Sequence, residues 1–130
     1  NRKFNKDKII NSLTKDKRWN DQFSFMEIIS NVNPSYMVLP FLINKKFKLK
    51  KKSFIKKLEK FGIETRPVIS GSFINQPASK LYDLNTKKIK FEEAQKVQDL
   101  GFVIGLHTKK LNNDLIKNIT DGLFLINDVS

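Results

Sequence analysis

No cysteine occurs in the chain, which excludes disulfides, thiolate metal sites and a cysteine nucleophile together. Its absence fits a reducing compartment, and a cytoplasmic location is expected. His107 is the only histidine, so neither a histidine metal cluster nor a two-histidine proton relay can be built. Long apolar runs are missing. The longest, residues 36–43, has eight residues and contains Pro40, whereas a membrane-spanning helix needs about 20. No membrane partner is expected, and residues 1–8 are charged and lack the apolar stretch of a signal peptide. Also absent are a P-loop, Gly-x-Gly-x-x-Gly, Gly-x-Ser-x-Gly and His-Glu-x-x-His. No internal repeat and no Gly/Ser-rich or Pro-rich linker divides residues 1–130, so one domain is expected. The chain opens at Asn1 without a methionine and enters a helical pattern almost at once. It is read as a fragment.

Positive charge is what the chain has in excess: 25 basic residues against 13 acidic ones, a net charge of +12. Nine lysines fall between Lys45 and Lys60. A nucleic-acid surface is one reading, because clustered cations release counterions from phosphates. A solvated lysine face is the other, and all the lysines are expected at the surface. Only Arg2, Arg18 and Arg66 are arginine, the residue on which bidentate phosphate and base recognition leans. The excess of Lys, Asn and Ile also runs along the whole chain, so the second reading is preferred. With 39% hydrophobic and 29% charged residues the chain is that of a globular domain with a packed core.

Periodicity predicts a helix over 5–13, with Asn5 as its N-cap and Ile9, Ile10 and Leu13 inward. Residues 15–34 are mixed and end in a turn at Asn33-Pro34. Residues 36–43 read as a buried strand that Pro40 pushes toward an edge or a bulge. A helix capped by Ser53 follows, with Phe54, Ile55, Leu58 and Phe61 inward and Gly62 as its left-handed stop. A strand over 64–69 precedes a turn at Ser70, Gly71 and Ser72, and a short helix over 78–81 comes next. A helix with Glu92 and Glu93 in its first turn presents Phe91, Ala94, Val97 and Leu100 and stops at Gly101. A strand over 102–106 leads to a final helix from about Asn113, with Leu115, Ile116, Ile119, Leu123 and Ile126 inward. The fold class is therefore α+β: a small, mostly antiparallel sheet of about three strands with helices packed on it.

Spacing alone makes His107 an ordinary loop histidine, Arg66 an exposed strand residue and Phe73 a cover for the core. Pro67 nonetheless holds Arg66 in extended geometry, and a strand-end arginine can be aimed at a phosphate or carboxylate.

The stretch FGIETRPVISGSFINQP over 61–77 resembles a motif in the C-terminal domain of the DegT–StrS sugar aminotransferases, which read G-I-x-T-R-P and, in one branch, x-x-G-N-x-x-x-x-P. GFVIGLH over 101–107 is similar to the later G-F-x-I-G strand of that branch. The likeness extends over residues 1–128, with two motifs in the family's order. It implies the small domain of an aspartate-aminotransferase-type fold, usually dimeric, in an enzyme that uses pyridoxal phosphate on nucleotide-linked keto sugars for lipopolysaccharide or other glycans. Within the family the branch looks closest to the 4-keto-6-deoxyhexose 3-dehydrases and their aminotransferase relatives. By that resemblance Arg66, Ser70, Gly71, Phe73, Gln76 and His107 are the substrate-binding candidates. Ser72 stands where the family has asparagine. The resemblance places the cofactor-binding large domain outside this chain, so no catalytic or cofactor-binding residue and no activity are expected in the chain alone. A basic nucleic-acid-binding module, and a stand-alone interaction domain derived from the enzyme, are the alternatives. In the full-length enzyme, replacing Arg18, outside both motifs, is expected to leave activity nearly unchanged.

Overall fold

The computed structural model describes residues 1–82 and 90–129. In chain order they form α1 (Arg2–Thr14), β1 (Phe23–Ser24), β2 (Val38–Ile43), α2 (Lys51–Lys60), β3 (Thr65–Arg66), α3 (Ala78–Leu81), α4 (Glu92–Leu100), β4 (Gly101–Gly105) and α5 (Asn113–Phe124). Short 3-10 segments occupy Lys45–Lys50, Phe73–Asn75 and Leu125–Asp128. The strands make one antiparallel sheet in the order β1-β2-β4-β3. This is the expected α+β architecture with one strand more. The extra strand, β1, has only two residues and lies in the mixed stretch, where no alternating pattern marks it.

Alternation along β2 and β4 sends Leu39, Phe41, Ile43, Phe102 and Ile104 to one face of the sheet. There they join Ile9 and Leu13 of α1, Phe54 and Leu58 of α2, and Ile116 and Leu123 of α5 in one buried cluster. Phe41 stacks on Phe102 at 5.0 Å between ring centroids, and Phe23 and Phe54 meet that pair edge-on at 5.5–6.0 Å. Such pairs add about 0.5–1.5 kcal/mol each beyond the area they bury.

Pro40 stands in the middle of the sheet's order, not on its rim, yet its environment is that of an edge. Asn44 N–H donates to Gln22 across the β1 side, and Leu106 N–H donates to the Met37 carbonyl on the β4 side. Alternation between these two bonds turns the nitrogen of Pro40 toward β1. With Ser24 opposite Leu42, the next hydrogen-bonded pair would set Met26 against Pro40, which has no N–H to give. β1 ends there, and the chain leaves the sheet.

Several local expectations give way to longer-range partners. Asn5 is not a cap: α1 begins at Arg2, and Asn5 is fully buried inside it. Its Nδ2 donates to the carbonyls of His107 (2.9 Å) and Lys109 (2.8 Å), and its Oδ1 accepts from Leu111 N–H (2.9 Å). One amide thus fixes the loop between β4 and α5 onto α1. Ser53 does not cap α2 either. Asn44 accepts from Lys46 N–H first and starts the 3-10 segment that runs straight into α2 at Lys51. Gly62, at φ +99°, ends that helix as expected. Phe61 and Leu115 are half exposed, as is Phe91 at the head of α4; in α5 the adjacent Ile116 takes the inward position. The expected strand over 64–69 shrinks to Thr65–Arg66. Lys6 is not at the surface: it is buried beside Asp7 (3.0 Å) and over the Tyr36 ring.

Arg18 staples the α1–β1 loop to α5. Its guanidinium donates to both carboxylate oxygens of Asp16 and to Asp121 (2.7 Å), and lies 4.3 Å from the centre of the Phe124 ring. The Arg18 hydrogen bonds hold Asp16 at about 2, down from 3.8, and also depress Asp121. A carboxylate held low in the fold stabilises it above the unfolded value and loses that contribution as pH falls through the folded one. For Asp16 the window therefore runs from 3.8 down to about 2.

Two outcomes follow. Asn5→Ala leaves three backbone groups without their partner and should lower unfolding stability by about 2–4 kcal/mol in urea titrations. Arg18→Ala should cost about 1–2 kcal/mol at neutral pH. It should also flatten the decline in stability between pH 3.8 and about 2 that the parent chain shows.

Candidate functional site

Four of the six candidate residues meet in one loop after β3. Pro67 keeps the chain extended past Arg66, and Gly71 N–H then donates to the Val68 carbonyl at 2.9 Å, closing a turn. Ile69 in that turn has φ +39° and is 93% exposed. A β-branched side chain in left-handed backbone is strained by about 1–2 kcal/mol. Gly71 follows at φ +62°, and a Cβ there would lie 2.9 Å from Gln98 Cγ. Gln76 Nε2 donates to the Ser70 carbonyl at 2.7 Å, and the ring of Phe73 is half exposed beside them.

Two residues of α4 hold this loop, and neither belongs to a motif. Gln98 Oε1 accepts from Ser72 N–H (3.0 Å) and from Asn75 Nδ2 (3.0 Å), and Gln95 Oε1 accepts from Asn75 Nδ2 (2.7 Å). The signal available in sequence was a pair of amides three apart on the polar side of a helix, which is common and points nowhere by itself. Ser72 is buried, and among the described residues its hydroxyl has no partner. It faces inward and cannot serve a ligand on the loop's outer surface.

Arg66 lies opposite Val103, on the sheet face away from the main core. It lines a cavity of about 340 Å³ with Val38, Glu64, Val103 and Gly105. Arg66 pairs with Glu64 at 2.7 Å, and both side chains are about three-quarters exposed. Such a pair is worth at most about 1 kcal/mol, so an incoming carboxylate or phosphate can displace Glu64 at small cost. The Val68–Gly71 turn lies toward Gly101, where any side chain would meet Val68, a Cβ falling 2.9 Å from Val68 Cγ2. His107 lies past the other end of β4, and its Nδ1 accepts from Lys109 N–H at 3.0 Å. The structure therefore groups Ser70, Gly71, Phe73 and Gln76 in one loop, turns the Arg66 side chain toward Glu64 and Gly105 at the other end of β3, and leaves His107 past the end of β4.

This second sheet face is only partly covered among the described residues. Val68 and Val97 close one end over an apolar cavity of about 300 Å³ bounded by Phe25, Met26, Pro40 and Leu42. Among the described residues Met26, Ile28, Ile29, Val32 and Met37, before and at the start of β2, are exposed.

No known family profile matches the sequence, and no curated protein does. Among solved structures, the E. coli GDP-4-keto-6-deoxy-D-mannose-3-dehydratase with bound hydrated PLP superposes with a TM-score of 0.73 at 20% identity. The two share a fold. The match takes in 94% of this chain but only 30% of the dehydratase chain. That agrees with the resemblance read from the two motifs, and the chain spans less than a third of the longer protein.

The clamp on the turn makes a measurable claim. Gly71→Ala should destabilise the chain by about 1–2 kcal/mol, through left-handed strain and the collision with Gln98. Gln98→Ala should cost about 1–2 kcal/mol through the lost bonds to Ser72 and Asn75. Because both act at one contact, thermal unfolding of the double variant should show less than the sum.

Proposed function

We propose that the chain is the small domain of a pyridoxal-phosphate-dependent enzyme that acts on nucleotide-linked keto sugars, as an aminotransferase or a 3-dehydrase, in lipopolysaccharide or glycan biosynthesis. The observation that carries the reading is the agreement between the fold and the motifs. A 3-dehydratase of a nucleotide-linked keto sugar shares the fold over 94% of this chain, and the residues of 61–77 and 101–107 resemble motifs of enzymes of that kind.

The described residues do not by themselves fit pyridoxal phosphate. A Schiff-base lysine needs a tuned, enclosed pocket. Lys6, the buried lysine, is occupied by Asp7 and the Tyr36 ring. Lys51 is half buried but faces an open groove walled by other lysines. In the proposed enzyme the cofactor is held by the large domain, and a homodimer in the cytoplasm completes the assembly.

The role proposed for this chain is to close over the sugar nucleotide. Arg66 offers a planar set of donors to a phosphate or carboxylate. The Ser70–Gly71 corner brings backbone close to the ligand, Phe73 presents a ring for stacking, and Gln76 holds the corner through the Ser70 carbonyl. The exposed apolar residues along 26–37 supply the surface that packs against the large domain. His107, on the far side of β4, is a separate contact in this scheme.

In the full-length enzyme, Arg66→Ala should lower kcat/KM by about ten- to hundredfold, the worth of one charge-assisted contact. Arg66→Lys should recover only part, because lysine lacks the planar fork. Unfolding stability should change by no more than about 0.5 kcal/mol, since the pair with Glu64 is exposed. Lys60→Ala, at the exposed end of α2, is the control. Full activity in Arg66→Ala would remove Arg66 from the site.

A further inference from the structure

The lysine-rich stretch is not a uniform solvated face. The 3-10 segment Lys45–Lys50 turns directly into α2, and this bend wraps Lys48, Lys51, Lys52 and Lys56 around an open cavity of about 600 Å³ floored by Ile55. Asp99 of α4 is the acidic residue on its wall, and Lys48 already occupies it at 2.8 Å, with Gln95 donating to its other oxygen. Lys51 differs from its neighbours. It is half buried, and its Nζ donates to the Gln98 carbonyl at 3.1 Å, at the C-terminal end of α4. Lys52 and Lys56 are exposed on the same helix.

We propose that Lys51 is an acylation site for anionic acyl donors, acyl phosphates above all, gathered by Lys52 and Lys56. The geometry supplies what the reaction needs. A cluster of cations lining a concave surface concentrates anions there, and a partly desolvated amine is the activated form of a lysine nucleophile. Burial lowers the pKa of Lys51, with Asp99 acting weakly in the other direction. In the reaction the lone pair of Lys51 Nζ attacks the acyl carbon. The bond from that carbon to the phosphate oxygen breaks, phosphate leaves with the electron pair, and the nitrogen releases one proton to water. The product is a neutral amide. It deletes the cation at the end of α4, the helix whose Gln98 side chain holds the Ser72 turn.

The test exposes the 130-residue chain to acetyl phosphate near neutral pH and follows each lysine by peptide mass spectrometry. Lys51 should be acetylated at least about threefold faster than exposed Lys60 of the same helix. Equal rates at the two would overturn the proposal. A neutral acetyl ester should show a smaller preference for Lys51 than acetyl phosphate does. The double variant Lys52→Gln/Lys56→Gln, checked for an unchanged circular dichroism spectrum, should bring the preference seen with acetyl phosphate down to that of the neutral ester while keeping the rate with that ester. A preference for acetyl phosphate undiminished in the double variant would show that the cluster gathers nothing, and the assignment of donor class would fall.

Discussion

The pairing of β2 with β4 is the constraint on which the other elements depend. It joins Val38–Leu42 to Gly101–Gly105 across some sixty residues of intervening chain, in five consecutive pairs. β1 and β3 contribute two residues each, too few to stand without a ladder to lean on. The same pairing brings Phe41 onto Phe102, and that stack is the surface against which Phe23 and Phe54 close. Without it Phe54 of α2 loses the aromatic surface it packs on, and the turn after β3 loses Gly101 as its support. Contacts of such separation close a large loop before any of them is repaid. The local helices are therefore expected to form ahead of the sheet that unites them.

Around this apolar centre a few buried polar side chains select one arrangement among many greasy ones. Asn5 binds the loop after β4, Gln22 binds Arg18 and Asn127, and Thr120 binds Ser12. Each of them connects segments about a hundred residues apart. Asn5 and Gln22 use both donor and acceptor atoms of their amides. Satisfied networks of this kind add modestly to stability but penalise any packing that breaks them. They fix how α1 and α5 sit at the ends of the chain, and hence where the loop carrying His107 is held.

Elements whose instructions are local were legible in the residues. Gly62 ends α2, the apolar run of 36–43 marks β2, and α5 starts where its apolar spacing begins, at Asn113. What escaped was decided at a distance. Asn5 carries the local signature of a cap, but its partners lie at His107, Lys109 and Leu111, and no pattern within a helix turn encodes that choice. Arg18 reads as surface because its two aspartates and Phe124 are brought to it only by the fold. In the candidate site, Ser70, Gly71, Phe73 and Gln76 share one loop because they are close in sequence. Gln95 and Gln98 were invisible because an amide on a helix surface has many uses. His107 was grouped with the others by adjacency of strands, while the antiparallel direction of β3 and β4 carries it to the opposite end.

Pro40 has a consequence beyond ending β1. Among the described residues, β2 from Val38 to Phe41 has a ladder neighbour only on the β4 side, so its other flank is the kind of bare strand margin that recruits foreign strands and seeds fibrils. A strand approaching that flank meets the pyrrolidine ring of Pro40 where a donor should be. The residue that cut short the chain's own ladder thus also denies one to any stranger.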